Sequence, residues 1–249
     1  MKAPHDVAVS VIISTYNRPR LLDRAMASVA AQTYQDFDVW VVDDCSDDER
    51  AFEAVMKKWH HVLVDRGITL YPARLPKNSG YQCVPKNAGI LYSDGDHIAY
   101  LDDDNVWRPR HLEALMGAML ATETDMVYGG RHYVNDTDDT NLVTGDVAAL
   151  PFDPRALAKA NYIDTSDILH TRGGAWTLLR EYGYIWDHNL RRFGDWNFVL
   201  RWGKAGLAGT PVDEVLTDYH WHGDNLQLTR PLTKAPMPLN ESTYRKAMA

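Results

Sequence analysis

Cysteine is scarce in this chain: Cys45 and Cys83 are the only two among 249 residues. Two thiols cannot make a disulfide framework or, unaided, a zinc site, so two reduced thiols in a cytoplasmic protein are expected. A basic surplus is missing as well. Thirty-four acidic and 26 basic residues leave a net charge of −8, which argues against non-specific binding to nucleic acid or to an anionic membrane. Long apolar runs are also absent. The N-terminal run from Val7 to Ile13 is broken by Ser10, too short for a span and without a signal-peptide cleavage region. Any membrane contact is therefore expected to be peripheral, with no integral segment. No repeat or low-complexity tract appears. These absences exclude a collagen, a coiled coil, a secreted mini-protein and an integral membrane protein.

What is present is ordinary for a soluble enzyme: 45% apolar and 24% charged residues, in a length that can bury a sizeable core. Val7 to Ser14 is β-branched and almost wholly apolar, as a strand buried on both faces should be. Pro19 then opens a helix to about Gln32. A strand at Asp38 to Val42, a helix to about Trp59, a strand near Ile68 to Tyr71 and a short helix from Pro85 to Tyr92 follow. A fourth strand spans His97 to Leu101, a helix Pro109 to Thr122, and a fifth strand Met126 to Gly129. Such alternation predicts an α/β fold with a mainly parallel sheet covered by helices. After about Arg131 the pattern becomes mixed and rich in aromatics.

In parallel sheets ligands bind beyond the carboxyl ends of the strands. Three predicted strand ends carry polar clusters: Thr15-Tyr16-Asn17, Asp43-Asp44 and Asp102-Asp103-Asp104. They should gather at one rim. Three adjacent carboxylates repel unless a cation sits among them, and Mg²⁺ or Mn²⁺ is the natural partner for oxygen ligands; the competing reading is a solvated acidic turn. If the strand continues, Asp102 and Asp104 point the same way. Asp94-Gly95-Asp96 precedes a strand and so falls at the opposite rim as a turn. Asp43-Asp44 could accept hydrogen bonds from a nucleotide's base or sugar, or belong to a charged loop in which Ser46 or Asp47 caps the next helix. Trp196 and Trp221 are candidates for stacking on a sugar face, against the ordinary fate of tryptophan in a core. The loop after the first strand, Ser14 to Arg18, contains no glycine, which weighs against a nucleotidyltransferase phosphate loop.

The segments SVIISTYNRPRLL, VVDDCSD and KNAGILYSDGDHIAYLDDDN resemble the nucleotide-binding half of family-2 inverting glycosyltransferases with the GT-A fold. NYIDTSDILHTR, IWDHNLRRFGDWNFVLRW and VDEVLTDYHWHGDN resemble the acceptor half of small bacterial members of the SpsA type. The resemblance runs from about residue 8 to 228 in the expected order. It implies a single GT-A domain over 1–249: a Rossmann-like nucleotide-sugar half at 7–131, a smaller mixed α/β acceptor half at 132–230, and a tail at 231–249. It further implies a metal-dependent hexosyltransferase-like enzyme moving a sugar from a nucleoside diphosphate, UDP by default or dTDP, to a carbohydrate or other acceptor hydroxyl. Ser14, Thr15 and Tyr16 match the nucleoside loop, with Tyr16 stacking on the base; Asp44 matches the base-recognising acid. Asp103 and Asp104 match the pair facing ribose and metal, with Asp104 the direct ligand of Mn²⁺ or Mg²⁺ and Asp102 competing with Asp103 as the second acid.

Lys86 lies near where such enzymes carry a basic residue beside the diphosphate, and His222 matches a C-terminal histidine segment that ligates the metal or a phosphate. Asp195 matches the catalytic base, although it could simply cap its helix. Gly174, next to Gly173, matches a close approach to the donor sugar, and Arg191 and Arg192 are phosphate or acceptor candidates. A homodimer fits this reading. Two other readings stay open: a non-catalytic nucleotide- or sugar-binding protein on the same fold, and a transferase acting on modified DNA bases through a strip of Arg191, Arg192, Arg201 and Lys204.

Overall fold

The structure is a computed structural model that describes residues 8–137, 142, 144–190 and 192–222. In chain order the elements are β1 (Val9–Thr15), α1 (Pro19–Ala30), β2 (Phe37–Asp43), α2 (Glu49–Val64), β3 (Leu70–Arg74), α3 (Cys83–Tyr92), β4 (His97–Asp102), β5 (Val106–Trp107) and α4 (His111–Thr122). Then come β6 (Met126–Asn135), β7 (Gly145–Val147), α5 (Pro154–Leu157), a 3₁₀ turn at Thr165–Asp167, β8 (Ile168–Thr171), α6 (Arg172–Tyr182), α7 (Gly194–Lys204) and β9 (Thr210–Trp221). They form one nine-stranded sheet in the order β3-β2-β1-β4-β8-β6-β9-β5, with β7 added to β6. No described helix is long and apolar enough to cross a membrane.

Every residue of β1 is buried, because both faces of the sheet are covered and its side chains alternate between them. Val9, Val11 and Ile13 join Leu22, Met26, Phe52, Trp59, Leu112 and Leu115 beneath α1, α2 and α4. Ile12 joins Ile90, Ile98, Tyr100, Leu178, Trp186, Phe198 and Trp202 beneath α3, α6 and α7. The same alternation divides β4, with Ala99 and Leu101 facing one layer and Ile98 and Tyr100 the other. The helix α2 is capped by Asp48, whose side chain accepts from Ala51 N, and not by Ser46 or Asp47. Both of those have other duties: Ser46 Oγ accepts from Asn17 N, and Asp47 accepts from the Asn17 side chain.

The parallel block β3-β2-β1-β4 follows the predicted alternation, but the fifth predicted strand does not extend it. β8 inserts antiparallel between β4 and β6, with Ile98 opposite His170 and Met126 opposite the same residue on the other side. β6 is also longer than predicted and runs on to Asn135, because β9 pairs with it in parallel along its length. This later half of the sheet is what brings the chain back to the rim. β5 pairs with β9 through Val106 and Asp218, so the end of β9 finishes beside the turn that follows β4.

Candidate functional site

The register of the parallel block places Ser14 beside Asp102 and Thr15 beside Asp43. The three polar strand ends therefore meet, and beyond them opens a cavity of about 330 Å³. Its lining includes Ser14, Thr15, Tyr16, Asp44, Asn78 and Tyr81 from the first half, Asp102, Asp103 and Asp104 from the turn after β4, and Asp164, Arg192, Asp195 and Tyr219 from the second half. Asp94-Gly95-Asp96 lies at the opposite rim, where Gly95 N donates to Ser10 Oγ near the start of β1.

Asp43 and Asp44 face different ways. Asp43 is fully buried, accepts from Ser46 N at 3.1 Å and pairs with the Arg74 guanidinium, so it ties down its own loop. Asp44 faces the cavity. Its Oδ1 accepts from Ser79 N at 2.9 Å, and its Oδ2 from Asn78 Nδ2 at 3.1 Å and Ser79 Oγ at 2.9 Å. Three bonds to one short loop hold the carboxylate at a fixed angle. Tyr16 stands at the mouth, 39% exposed.

The triplet resolves its own repulsion by giving its acids cations. Asp102 Oδ1 pairs with Lys86 Nζ at 2.8 Å. Asp103 accepts from Thr15 Oγ1 at 2.7 Å and from Arg18 Nη1 at 3.2 Å. Asp104 Oδ2 takes the same Arg18 nitrogen at 3.0 Å and meets His222 Nε2 at 3.0 Å. The strand does not continue through the triplet: it ends at Asp102, and Asn105 N turns back to Asp102 O. Asp103 and Asp104 consequently share Arg18, and the common direction that a continuing strand would have given Asp102 and Asp104 does not arise. Burial and the neighbouring Asp104 push the Asp103 carboxyl up to about 7, against Arg18 and Thr15. Burial acts the same way on Asp104, but the His222 hydrogen bond and Arg18 outweigh it and hold that carboxyl below its ordinary value.

The Asp104 carboxylate at the cavity suits Mn²⁺ or Mg²⁺, and the His222 imidazole that meets it would add one nitrogen donor. Among the described residues no group of three or more His, Cys, Asp or Glu could hold a metal. Two protein donors would leave the rest of an octahedral shell to phosphate oxygens and water.

Asp195 enters from α7. The chain reaches that helix through Phe193 at φ +60°, a conformation costly for a bulky residue and tolerated where surroundings enforce it. Gly194 follows because a Cβ there would stand 2.7 Å from Cys83 Sγ, so α7 can abut α3 only with glycine at this point. Phe193 holds the capping position; Asp195 lies in the first turn, where its carboxylate takes the Trp196 backbone N–H while it also lines the cavity. The Asp195 carboxylate is buried and accepts from Asn161 Nδ2 at 2.6 Å. Burial raises its pKa, with the Trp196 backbone N–H and Lys86 opposing.

Several predicted residues lie elsewhere. Lys86 is fully buried behind Asp102, over the Trp186 ring at 5.0 Å, and is not part of the cavity lining. The pairing with Asp102 raises its pKa against burial, so it remains a cation. Trp196 is core, its Nε1 donating to Leu157 O at 2.6 Å. Trp221 is buried against Tyr133, ring planes 13° apart. Neither tryptophan lines the cavity; both obey the general preference of large rings for a core. Arg191 lies outside the described residues. Arg201 is buried on Tyr184 O and Ile185 O, so the strip expected for DNA loses a member.

Gly174 is a packing glycine: a Cβ there would enter the Trp202 ring. Gly174→Ala should therefore cost about 1–3 kcal/mol, read as a lower melting temperature with an unchanged nucleotide-induced increment.

Sequence reasoning missed Arg18, Asn78, Asn161, Asp164 and Tyr219. Arg18 was within reach, being two residues from Tyr16 in a rim loop; the others are distant in sequence and carry no local signature.

A parallel block with a cavity and an acid cluster at its carboxyl rim, continued by a mixed second half, is the architecture of the GT-A fold. Residues 10–182 match the family model described as Glycosyl transferase family 2, and the chain belongs to that family. Among curated relatives it is 26% identical over 229 residues to Protein CgeD of Bacillus subtilis (strain 168), covering 88% of this chain and 51% of that protein. Among solved structures it resembles S. aureus TarS 1-349 in complex with UDP-GlcNAc, with TM-score 0.68, 18% identity, and 88% and 60% coverage. Mannosyltransferase PcManGT from Pyrobaculum calidifontis, in complex with GDP-Man and Mn²⁺, gives TM-score 0.61, 19% identity, and 86% and 60% coverage. The chain spans about half to three-fifths of these proteins, and the structural likenesses establish the GT-A fold.

Proposed function

We propose that this chain transfers a sugar from a nucleoside diphosphate, UDP first among the candidates and dTDP next, to an acceptor hydroxyl by single in-line displacement with inversion. The observation that carries the reading is the meeting of Asp44, Asp104 with His222, and Asp195 around one cavity. The UDP-GlcNAc and GDP-Man of the two structural neighbours are in keeping with such a donor.

Asp44, fixed by Asn78 and Ser79, accepts from an N–H of the base while Tyr16 stacks on its face. Asp103, tied to Thr15, faces the ribose. Asp104 and His222 would hold Mn²⁺ or Mg²⁺, which when bound offsets charge on the departing diphosphate. Arg18 adds a guanidinium at the same place. Asp195, opposite, takes the proton from the acceptor hydroxyl as that oxygen attacks, and burial makes it a better base than an exposed aspartate. The half beyond residue 131 contributes the acceptor wall, including Asp164 and Tyr219.

A melting-temperature panel of UDP, dTDP, GDP and CDP, each with and without Mn²⁺, tests the donor site. At a ligand concentration ~100 times its dissociation constant, stabilisation should be about 2.7 kcal/mol. In a chain of this size that is an increment of roughly 5–10 °C. The expected result is a Mn²⁺-dependent shift with one nucleotide, lost in Asp104→Asn. A folded protein that shifts with none of them would refute the reading.

A further inference from the structure

Asn161 lies in the segment before the 3₁₀ turn, away from the cavity lining, and both ends of its amide are engaged. Its Oδ1 accepts from Ile163 N at 3.2 Å, which leaves Nδ2 as the end that reaches Asp195 Oδ2 at 2.6 Å. A carboxylate at the start of a helix can rotate about its side-chain torsions, and only a fixed donor on one oxygen holds the other in one direction. Here the donor's own orientation is dictated by a backbone N–H two residues away.

We propose that Asn161 is a positioning residue for Asp195: it fixes the carboxylate's direction toward the cavity and stabilises its ionised form. The proposal rests on the reading of Asp195 as general base. A hydrogen bond to the charged form lowers a pKa, and this bond works against a mixed field. Lys86 and Cys83 face Asp195 from α3, Asp102 from the end of β4, Arg131 from β6 and Asp164 from the segment before the 3₁₀ turn. Lys86 and Arg131 favour the anion and Asp102 disfavours it, while burial disfavours it most. The donors that reach the Asp195 carboxylate are the Trp196 backbone N–H and the side-chain amide of Asn161.

The informative variant is Asn161→Asp. It keeps an acceptor for Ile163 N, so the segment's own bond survives, and it replaces the donor facing Asp195 with a second carboxylate. The titration of Asp195 can be followed in the full chain by ¹³C-carboxyl NMR of labelled aspartate, the resonance being identified by its loss in Asp195→Asn. Asn161→Asp should move the apparent titration upward by about one unit or more, since two close carboxylates resist joint ionisation. Asn161→Ala should move it the same way by less. Turnover of the UDP-sugar with Mn²⁺, water serving as acceptor, should show the acid limb of kcat moving by the same amount with KM for the donor unchanged. A purely structural asparagine would leave the titration in place in Asn161→Ala, which adds no charge beside Asp195. An unshifted Asp195 titration in folded Asn161→Asp or Asn161→Ala overturns the proposal. Full turnover in Asp195→Asn overturns instead the reading on which it stands, and the positioning role falls with it.

Discussion

Asp195→Asn is expected to lower sugar transfer by about 10²–10⁴-fold, the usual contribution of a positioned general base. Nucleotide binding should be unchanged. The substitution keeps the shape of the side chain, and the new amide oxygen can still accept from Asn161 Nδ2 where Oδ2 now does. It removes only the capacity to take a proton. The nucleotide and metal contacts proposed above are Tyr16, Asp44, Asp103, Asp104 and His222, so the Mn²⁺-dependent melting increment should survive in the variant while turnover does not. The wild-type pH profile follows with a definite sign. A base must be ionised, and burial raises the pKa of Asp195 above the ordinary carboxylate value. Activity should therefore begin to fall, on acidification, at a higher pH than an exposed aspartate near 3.9 would allow. A variant that transfers as well as the wild type would favour a different base; binding without turnover in the wild type as well would favour a binding protein on this fold.

The parallel block was legible because its physics is local. VSVIIST and FDVWVVD have the β-branched, apolar character of strands covered on both faces, and each ends in the polar residues that the rule for parallel sheets sends to the ligand rim. That Thr15-Tyr16-Asn17, Asp43-Asp44 and the triplet gather at one rim followed from that reasoning, and the register sets Thr15 beside Asp43 and Ser14 beside Asp102. What local pattern could not show was direction. Residue type does not say that Asp43 turns in to Arg74 while Asp44 turns out, or that Lys86 points beneath Asp102. It does not say that Trp196 and Trp221 face the interior or that Gly174 makes room for a ring. Strand order was hidden for a similar reason: β8 is separated from β4 by more than sixty residues in sequence, and only the finished sheet shows that it fits between β4 and β6. Partners such as Asn161 with Asp195 are products of that same late assembly.

Arg131→Met should be the most destabilising single change beneath the site. Arg131 lies on β6, between β7 and β9, and its guanidinium pairs with Asp167 Oδ2 at 2.6 Å and donates to Tyr162 O at 2.9 Å. The Asp167 side chain is 0% exposed. Removing the arginine leaves a carboxylate without its cation and without water, and breaking a buried pair in this way costs about 3–5 kcal/mol. At ~2–4 °C per kcal/mol in a chain of this size, the melting temperature should fall by about 10 °C. The pair is not expected to be worth that much in itself. Arg131→Met combined with Asp167→Asn should recover most of the loss, because neither partner then carries a buried charge. Burial already raises the Asp167 pKa in the intact pair despite Arg131, and without Arg131 it rises further. A raised carboxyl favours the folded state fully below its unfolded pKa of about 3.9, and that advantage is lost as pH climbs through the folded value. The deficit of Arg131→Met relative to wild type should accordingly be largest near neutrality and narrow toward about pH 4. Melting curves for the two variants and the wild type across that range decide the matter: a deficit independent of pH, or a double variant no better than the single one, would mean that Arg131 acts through packing and its bond to Tyr162 instead of through Asp167.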